Sequence, residues 1–188
     1  MNKTKTKTRD MVITALLTAL SILIPTAFTF LRVVLPPAFT ATLMAHVPVV
    51  VAMFISPFSA AFVAIGSAFG FFLTGLPPVV TARAATHIIF AVVGAYMLKK
   101  MHGGALAKLI WVGFVTMILH AIMEAAVVIP MMFIVTESPD PAVIYTAAYV
   151  TGVGTLIHHA IDYVIAIGVV SALSKAKLID WRFNSKRK

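Results

Sequence analysis

Residues 11–31, MVITALLTALSILIPTAFTFL, decide the fold class: twenty-one residues without a charge, bracketed by Asp10 and Arg32. At ~1.5 Å of rise per residue, such a helix crosses the ~30 Å of hydrocarbon in a bilayer. Pro25 is expected to kink it. The pattern continues outward. From Val33 to Leu98 the only charge is Arg83, which is too much apolar chain for one or two helices. Ser56-Pro57 and Thr74-Gly75-Leu76-Pro77-Pro78 punctuate that run. The spacing predicts six helices, at about 11–31, 39–55, 58–74, 78–98, 106–134 and 143–173, the fifth bent at Pro130. The second and third are short, so a re-entrant hairpin stays open there. The expected fold is an all-α integral membrane bundle forming a single membrane domain over 1–188.

Composition agrees. Of 188 residues 61% are hydrophobic and 11% charged, with a mean hydropathy of +1.01. A soluble domain carries about 25% charged residues. There is no cysteine, which excludes disulfides, thiol nucleophiles and thiolate metal sites. The formal charge of +9 is placed by topology. Four basic residues (Lys3, Lys5, Lys7, Arg9) precede the first helix, and Lys99, Lys100 and Lys108 lie between the fourth and fifth. Six follow the last: Lys175, Lys177, Arg182, Lys186, Arg187 and Lys188. With six spans these all fall on one side, while the opposite loops hold only Arg32, Glu137 and Asp140. That asymmetry puts both termini in the cytoplasm and argues against a nucleic-acid partner.

Small residues suggest close helix approach. Ala15 and Ala19 in the first helix, and Gly66 and Gly70 in the third, are each four apart. Internal packing and a partner helix both fit. Ionisable residues inside spans cost a few kcal/mol each and need a reason. They are His46, Arg83, His87, His120, Glu124, His158, His159 and Asp162. Arg83 and His87, His120 and Glu124, and His158 and Asp162 are i,i+4 pairs, each on one helical face. Depth counted along the spans puts His46, Arg83 and His87 in the outer half of the bundle, Glu124 about ten residues from the outer end of its helix, and His158 and Asp162 near the midplane or below it. The set thus converges toward the outer half, under short caps such as Thr74–Pro78 and the turn Pro36-Pro37-Ala38-Phe39. Arg83 either serves as a charge strut for Glu124 or receives a ligand carboxylate. Asp162 can pair with His158 or His159.

Motifs of other classes are missing. No H-E-x-x-H, G-x-S-x-G, P-loop or Gly-rich dinucleotide fingerprint occurs, so no enzyme activity and no cofactor is expected. The His/Asp/Glu set has suitable chemistry for a divalent-metal transporter, kept as an alternative, but no bound metal is expected.

The stretches Thr18-Ala19-Leu20, Ala45-His46-Val47-Pro48, Met53-Phe54-Ile55-Ser56-Pro57, Gly70-Phe71-Phe72-Leu73 and Arg83-Ala84-Ala85-Thr86-His87-Ile88-Ile89-Phe90 resemble, in order and spacing, the substrate-binding S components of energy-coupling factor (ECF) vitamin transporters. The resemblance covers nearly the whole chain and is strongest to the niacin-type subunit. It implies a vitamin-binding subunit of the bacterial plasma membrane, loaded from outside, that docks on a transmembrane coupling subunit driven by two ATPases. It also implies docking through Ala15 and Ala19, and a pocket from Arg32–Thr40 (with Phe39), Arg83, His87, His46, His120, Glu124 and the start of the last helix, with Tyr149. Cobalt and nickel members carry His directly after Met; here the residue is Asn2. Nicotinate suits Arg83 by its carboxylate and a neighbouring His by its ring nitrogen. Pantothenate, folate and riboflavin stay as alternatives, the few aromatics near the outer ends favouring a small ligand.

Overall fold

The computed structural model describes residues 3–36, 39–101 and 106–181, with the side chains of 3–6 left out. Pro37, Ala38, Asn2, Gly103 and the basic residues Arg182, Lys186, Arg187 and Lys188 lie outside the described residues. Seven helices and one hairpin follow in order: α1 (Lys3–Ala27), a 3-10 turn (Thr29–Leu31), β1 (Arg32–Leu35), β2 (Phe39–Thr42), α2 (Val47–Met53), α3 (Pro57–Leu73), α4 (Pro78–Ala85), α5 (His87–Met101), α6 (Leu106–Val135) and α7 (Pro141–Lys175).

Local chemistry sets the boundaries. Ser56 caps α3 by accepting the Ser59 N–H at 3.0 Å, and Asp140 caps α7 by accepting that of Ala142 at 2.8 Å. Proline follows each cap at the first helical position, where its missing N–H costs nothing. Gly75, at φ 68°, turns the chain after α3 in a conformation that glycine adopts without strain. Pro25 and Pro130 are accommodated inside α1 and α6.

The largest departure from expectation lies at 39–55. The chain there does not start a helix at Phe39. It forms an antiparallel hairpin, Arg32 opposite Thr42 through Leu35 opposite Phe39, and then the seven-residue α2. Hydropathy is the same for a buried strand and a buried helix, while β-branched and aromatic residues favour the strand. The first expected helix ends at Ala27 rather than Leu31. The fourth is divided at Thr86, whose hydroxyl donates to the Arg83 carbonyl at 2.7 Å.

α2 is ~10 Å long, and every one of its residues is buried. Surrounding helices therefore shield the irregular backbone at its ends, as membrane depth requires. Val49, Val50 and Val51 form the centre of the larger core with Val63, Phe90, Leu109 and Val112. α1 and α3 run in the same direction: Thr14 donates to the Ser59 hydroxyl (2.8 Å), Ser21 to the Val63 carbonyl (3.2 Å), and Gly70 lies against the Ile22 backbone. α6 and α7 run in opposite directions, with Tyr163 donating to the Leu109 carbonyl at 2.8 Å. One end of the bundle collects the start of α1 and the ends of α2, α5 and α7. There Arg9 donates to the Lys177 carbonyl (3.3 Å), and the Phe54 and Trp181 rings meet at 5.0 Å.

The outer surface is apolar. Leu16 and Leu20 on α1, Phe58 and Phe72 on α3, Trp111 on α6 and Val164 on α7 all point outward. Among the described residues, four segments are long and apolar enough to cross a membrane: 7–27, 78–101, 106–135 and 141–175. This is a multi-pass membrane protein.

Candidate functional site

Glu124 on α6 is the hub of a buried polar cluster. Its Oε2 accepts Arg83 Nη2 at 2.7 Å, Arg83 Nε at 3.2 Å and the Thr155 hydroxyl. Its Oε1 faces His87 Nε2 at 3.4 Å and His120 Nε2 at 3.3 Å. A charge pair removed from water must be closely hydrogen-bonded to offset its desolvation, and this one is. Arg83 Nη1 donates to the Thr40 carbonyl at 3.3 Å, and its guanidinium carbon lies 5.2 Å from the centre of the Phe39 ring. β2 thus covers the cluster, and Phe39 is held down by Gly154, where any Cβ would stand 2.6 Å from the ring.

Five histidines surround this hub. The His46 ring centre is 4.6 Å from those of His87, His120 and His158, and the centres of His120 and His159 are 5.1 Å apart. His46 and His87 meet through their Nε2 atoms at 3.2 Å, and His120 and His159 through their Nδ1 atoms at 3.0 Å. Ser67 on α3 pairs with His87 Nδ1 (3.2 Å), and Thr116 with His159 Nε2 (3.3 Å). Phe90 closes the inner side, its ring centre 4.5 Å from that of His120.

Asp162 takes a partner that sequence spacing did not suggest. It accepts the backbone N–H of Met44 at 2.8 Å and of His46 at 3.0 Å, which fixes the turn between β2 and α2. Met44 sits at φ 70°, strained for a side-chain-bearing residue, and the carboxylate holds it there. Asp162 Oδ2 is also 3.2 Å from His46 Nδ1 and 3.4 Å from His158 Nε2, though neither nitrogen is aligned for a hydrogen bond. His159 turns instead to His120.

Arg83 from α4, His87 from α5, His46 from the residue before α2, and His120 and Glu124 from α6 therefore come together, with Phe39 above them. Tyr149 does not. It is 71% exposed on the outer face of α7, about 200° round the helix from buried Thr151 two residues on, so its expected place in the site is corrected. Thr155, Ser67 and Thr116 escaped the sequence reading. A signal for Thr155 was present: Thr151, Thr155, His159 and Asp162 recur at helical spacing, and all four are buried. Ala15 and Ala19 are exposed on α1, Ala15 at the rim of a groove shared with Phe58 and Phe62 of α3, whereas Gly66 and Gly70 face α1. Between Thr40, Arg83, His87, Glu124 and their neighbours remains a cavity of about 10 Å³, the room of one water.

A protein of Lactococcus lactis subsp. cremoris (strain MG1363) described as niacin transporter NiaX is 37% identical to this chain over 180 residues, spanning 94% of this chain and 79% of that protein. The chain belongs to the NiaX family. No protein-family model matches it, and no solved structure does. Membership in the NiaX family fits the niacin-type S component that the sequence motifs resemble.

Proposed function

We propose that this protein is the nicotinate-binding membrane subunit of an ECF-type importer, and that the Arg83–Glu124–histidine cluster is its binding site. The observation that carries this reading is the convergence of a guanidinium, a carboxylate and five imidazoles on one buried point roofed by a hairpin. So many ionisable groups inside a membrane bundle are costly unless they serve a ligand. Arg83 offers Nη1 to the nicotinate carboxylate by exchanging the Thr40 carbonyl, while Glu124 keeps Nη2 and Nε. An imidazole supplies a donor for the ring nitrogen. A cavity of about 10 Å³ does not hold a pyridine ring, so β2 and Phe39 lift as the ligand enters.

Orientation and partners belong to the same proposal. Six crossings put both termini and the 99–108 segment in the cytosol, and the gathering of the α1 start with the α5 and α7 ends supports that count. The ligand then enters from outside, beside the hairpin. Ala15 and Ala19, exposed on α1, are proposed to dock on a transmembrane coupling subunit carrying two ATPases.

Titration of the purified protein with nicotinate and nicotinamide tests the binding reading. The acid should bind at least ~100-fold more tightly, because only it brings a carboxylate to a buried guanidinium. Equal affinity for acid and amide, or no binding of either, rejects it.

A further inference from the structure

The histidines are arranged as ligands around a point, with a polar group near the other nitrogen of each. One ring nitrogen from each of His46, His87 and His120 lies within 4.8 Å of the other two, and all three residues are buried. His46 Nε2 and His87 Nε2 are 3.2 Å apart, and Glu124 Oε1 is 3.4 Å from His87 Nε2 and 3.3 Å from His120 Nε2. A tetrahedral ion with bonds of ~2.0–2.1 Å separates its ligand atoms by ~3.3–3.4 Å, so these three separations already match edges of such a site, and the remaining imidazole nitrogens, within 4.8 Å of one another, close in by small ring rotations when the ion binds. On each ring the opposite nitrogen has a partner at hand. His46 Nδ1 is beside Asp162 Oδ2 (3.2 Å), His87 Nδ1 pairs with Ser67 (3.2 Å), and His120 Nδ1 pairs with His159 (3.0 Å). Backing of this kind is how proteins orient metal-binding imidazoles. His120 Nε2, on a fully buried side chain, makes no hydrogen bond with any described residue and points to the same place.

We propose that one divalent transition-metal ion, of the zinc class, binds between His46 Nε2, His87 Nε2, His120 Nε2 and Glu124 Oε1. Neutral imidazoles with one carboxylate are the donor set that suits zinc, cobalt and nickel. Glu124 serves on both sides: Oε2 stays with Arg83 and Thr155, while Oε1 turns to the ion. The second group of ligand-type residues, His46, His158 and Asp162, acts as support, because Asp162 is already bound to two backbone N–H groups.

Charge adds a role for the ion. With neutral imidazoles, Arg83 carries one positive charge and Glu124 and Asp162 one negative charge each. A divalent ion turns this excess of one negative charge into one positive charge, and a bound carboxylate brings it to zero. The metal therefore acts as a co-ligand beside Arg83 for the anionic substrate. This second step rests on the nicotinate reading; metal binding itself does not.

The full-length protein is purified in detergent with a histidine-free tag, stripped with a chelator and titrated with Zn²⁺ alone and Co²⁺ alone. The absence of cysteine removes competing thiolates. One Zn²⁺ per chain is expected, together with the visible absorption of tetrahedral Co²⁺. His120→Gln should weaken Zn²⁺ at least tenfold, and His158→Gln less than threefold. Nicotinate should change the Co²⁺ spectrum and bind more tightly to the metal-loaded protein, by the reciprocity of linked binding. Substoichiometric Zn²⁺ with no Co²⁺ band in the native protein overturns the metal site, even if nicotinate still binds. A metal site that nicotinate ignores overturns the co-ligand role. A nicotinate titration that fails with metal bound overturns the substrate reading and leaves the metal site standing.

Discussion

Glu124 is the residue on which the rest of the site depends, since both its oxygens are committed. Removing its charge leaves the Arg83 guanidinium buried beside a neutral amide. Glu124→Gln should therefore cost ~3–5 kcal/mol of stability, read as a fall in melting temperature in detergent. Pairing it with Arg83→Gln should restore most of that loss, because no unmatched charge is left. A double variant as unstable as the single one would show that the two do not act as a pair. Arg83→Gln alone separates the roles of the arginine: a folded protein that has lost ~3 kcal/mol of nicotinate affinity assigns it to the ligand. Thr155→Val keeps the shape but removes the hydroxyl from Oε2, and should cost ~1–3 kcal/mol of stability. This contribution was hard to foresee, because a single Thr in an apolar helix is unremarkable until its i+4 and i+7 neighbours are known to be buried polar residues.

The hairpin is the element that the sequence hid. Phe39–Thr42 roofs the cluster through the Phe39 ring and the Thr40 carbonyl, and Gly154 on α7 leaves space for that ring. A methyl at 154 would push Phe39 off the guanidinium. Gly154→Ala should cost ~1–3 kcal/mol of stability and weaken nicotinate binding together, while the helix content seen by circular dichroism stays constant. Unchanged affinity would release β2 from any part in the site. α1 is a different case. Its contact with α3 runs through Thr14, Ser21 and Ile22, leaving Ala15 and Ala19 on the outside. Ala15→Trp should leave the melting temperature and nicotinate affinity of the isolated protein unchanged, yet abolish uptake in cells and copurification of the ATPase module. A destabilised Ala15→Trp protein would mean that this face packs internally.

At the scale of the molecule, an apolar exterior surrounds a polar centre, and Arg9, Lys99 and Lys177 sit at one end. Arg9 against the Lys177 carbonyl places the start of α1 beside the end of α7, the arrangement that the proposed six crossings call for. Single cysteines at Lys99 and Ser138, both exposed, test the orientation in a chain with no native thiol. An impermeant thiol reagent should label Ser138→Cys in intact cells and Lys99→Cys only after lysis. The reverse pattern would invert the protein and place the hairpin on the cytosolic side.

The sequence by itself determined the solvent and the inventory. Uncharged runs too long for a soluble core, with charge confined to the ends and short loops, leave lipid as the surroundings. Ionisable residues inside such runs mark a site because their cost is high wherever they fall. Both properties are local and additive along the chain, so they can be read without a fold. Tertiary structure alone decided that residues 39–42 pair as a strand and that Asp162, besides lying 3.4 Å from His158, secures the Met44 turn. It also turned Tyr149 outward and His46 Nε2 inward. These outcomes depend on partners dozens of residues away, and the same hydropathy supports either arrangement until those partners arrive.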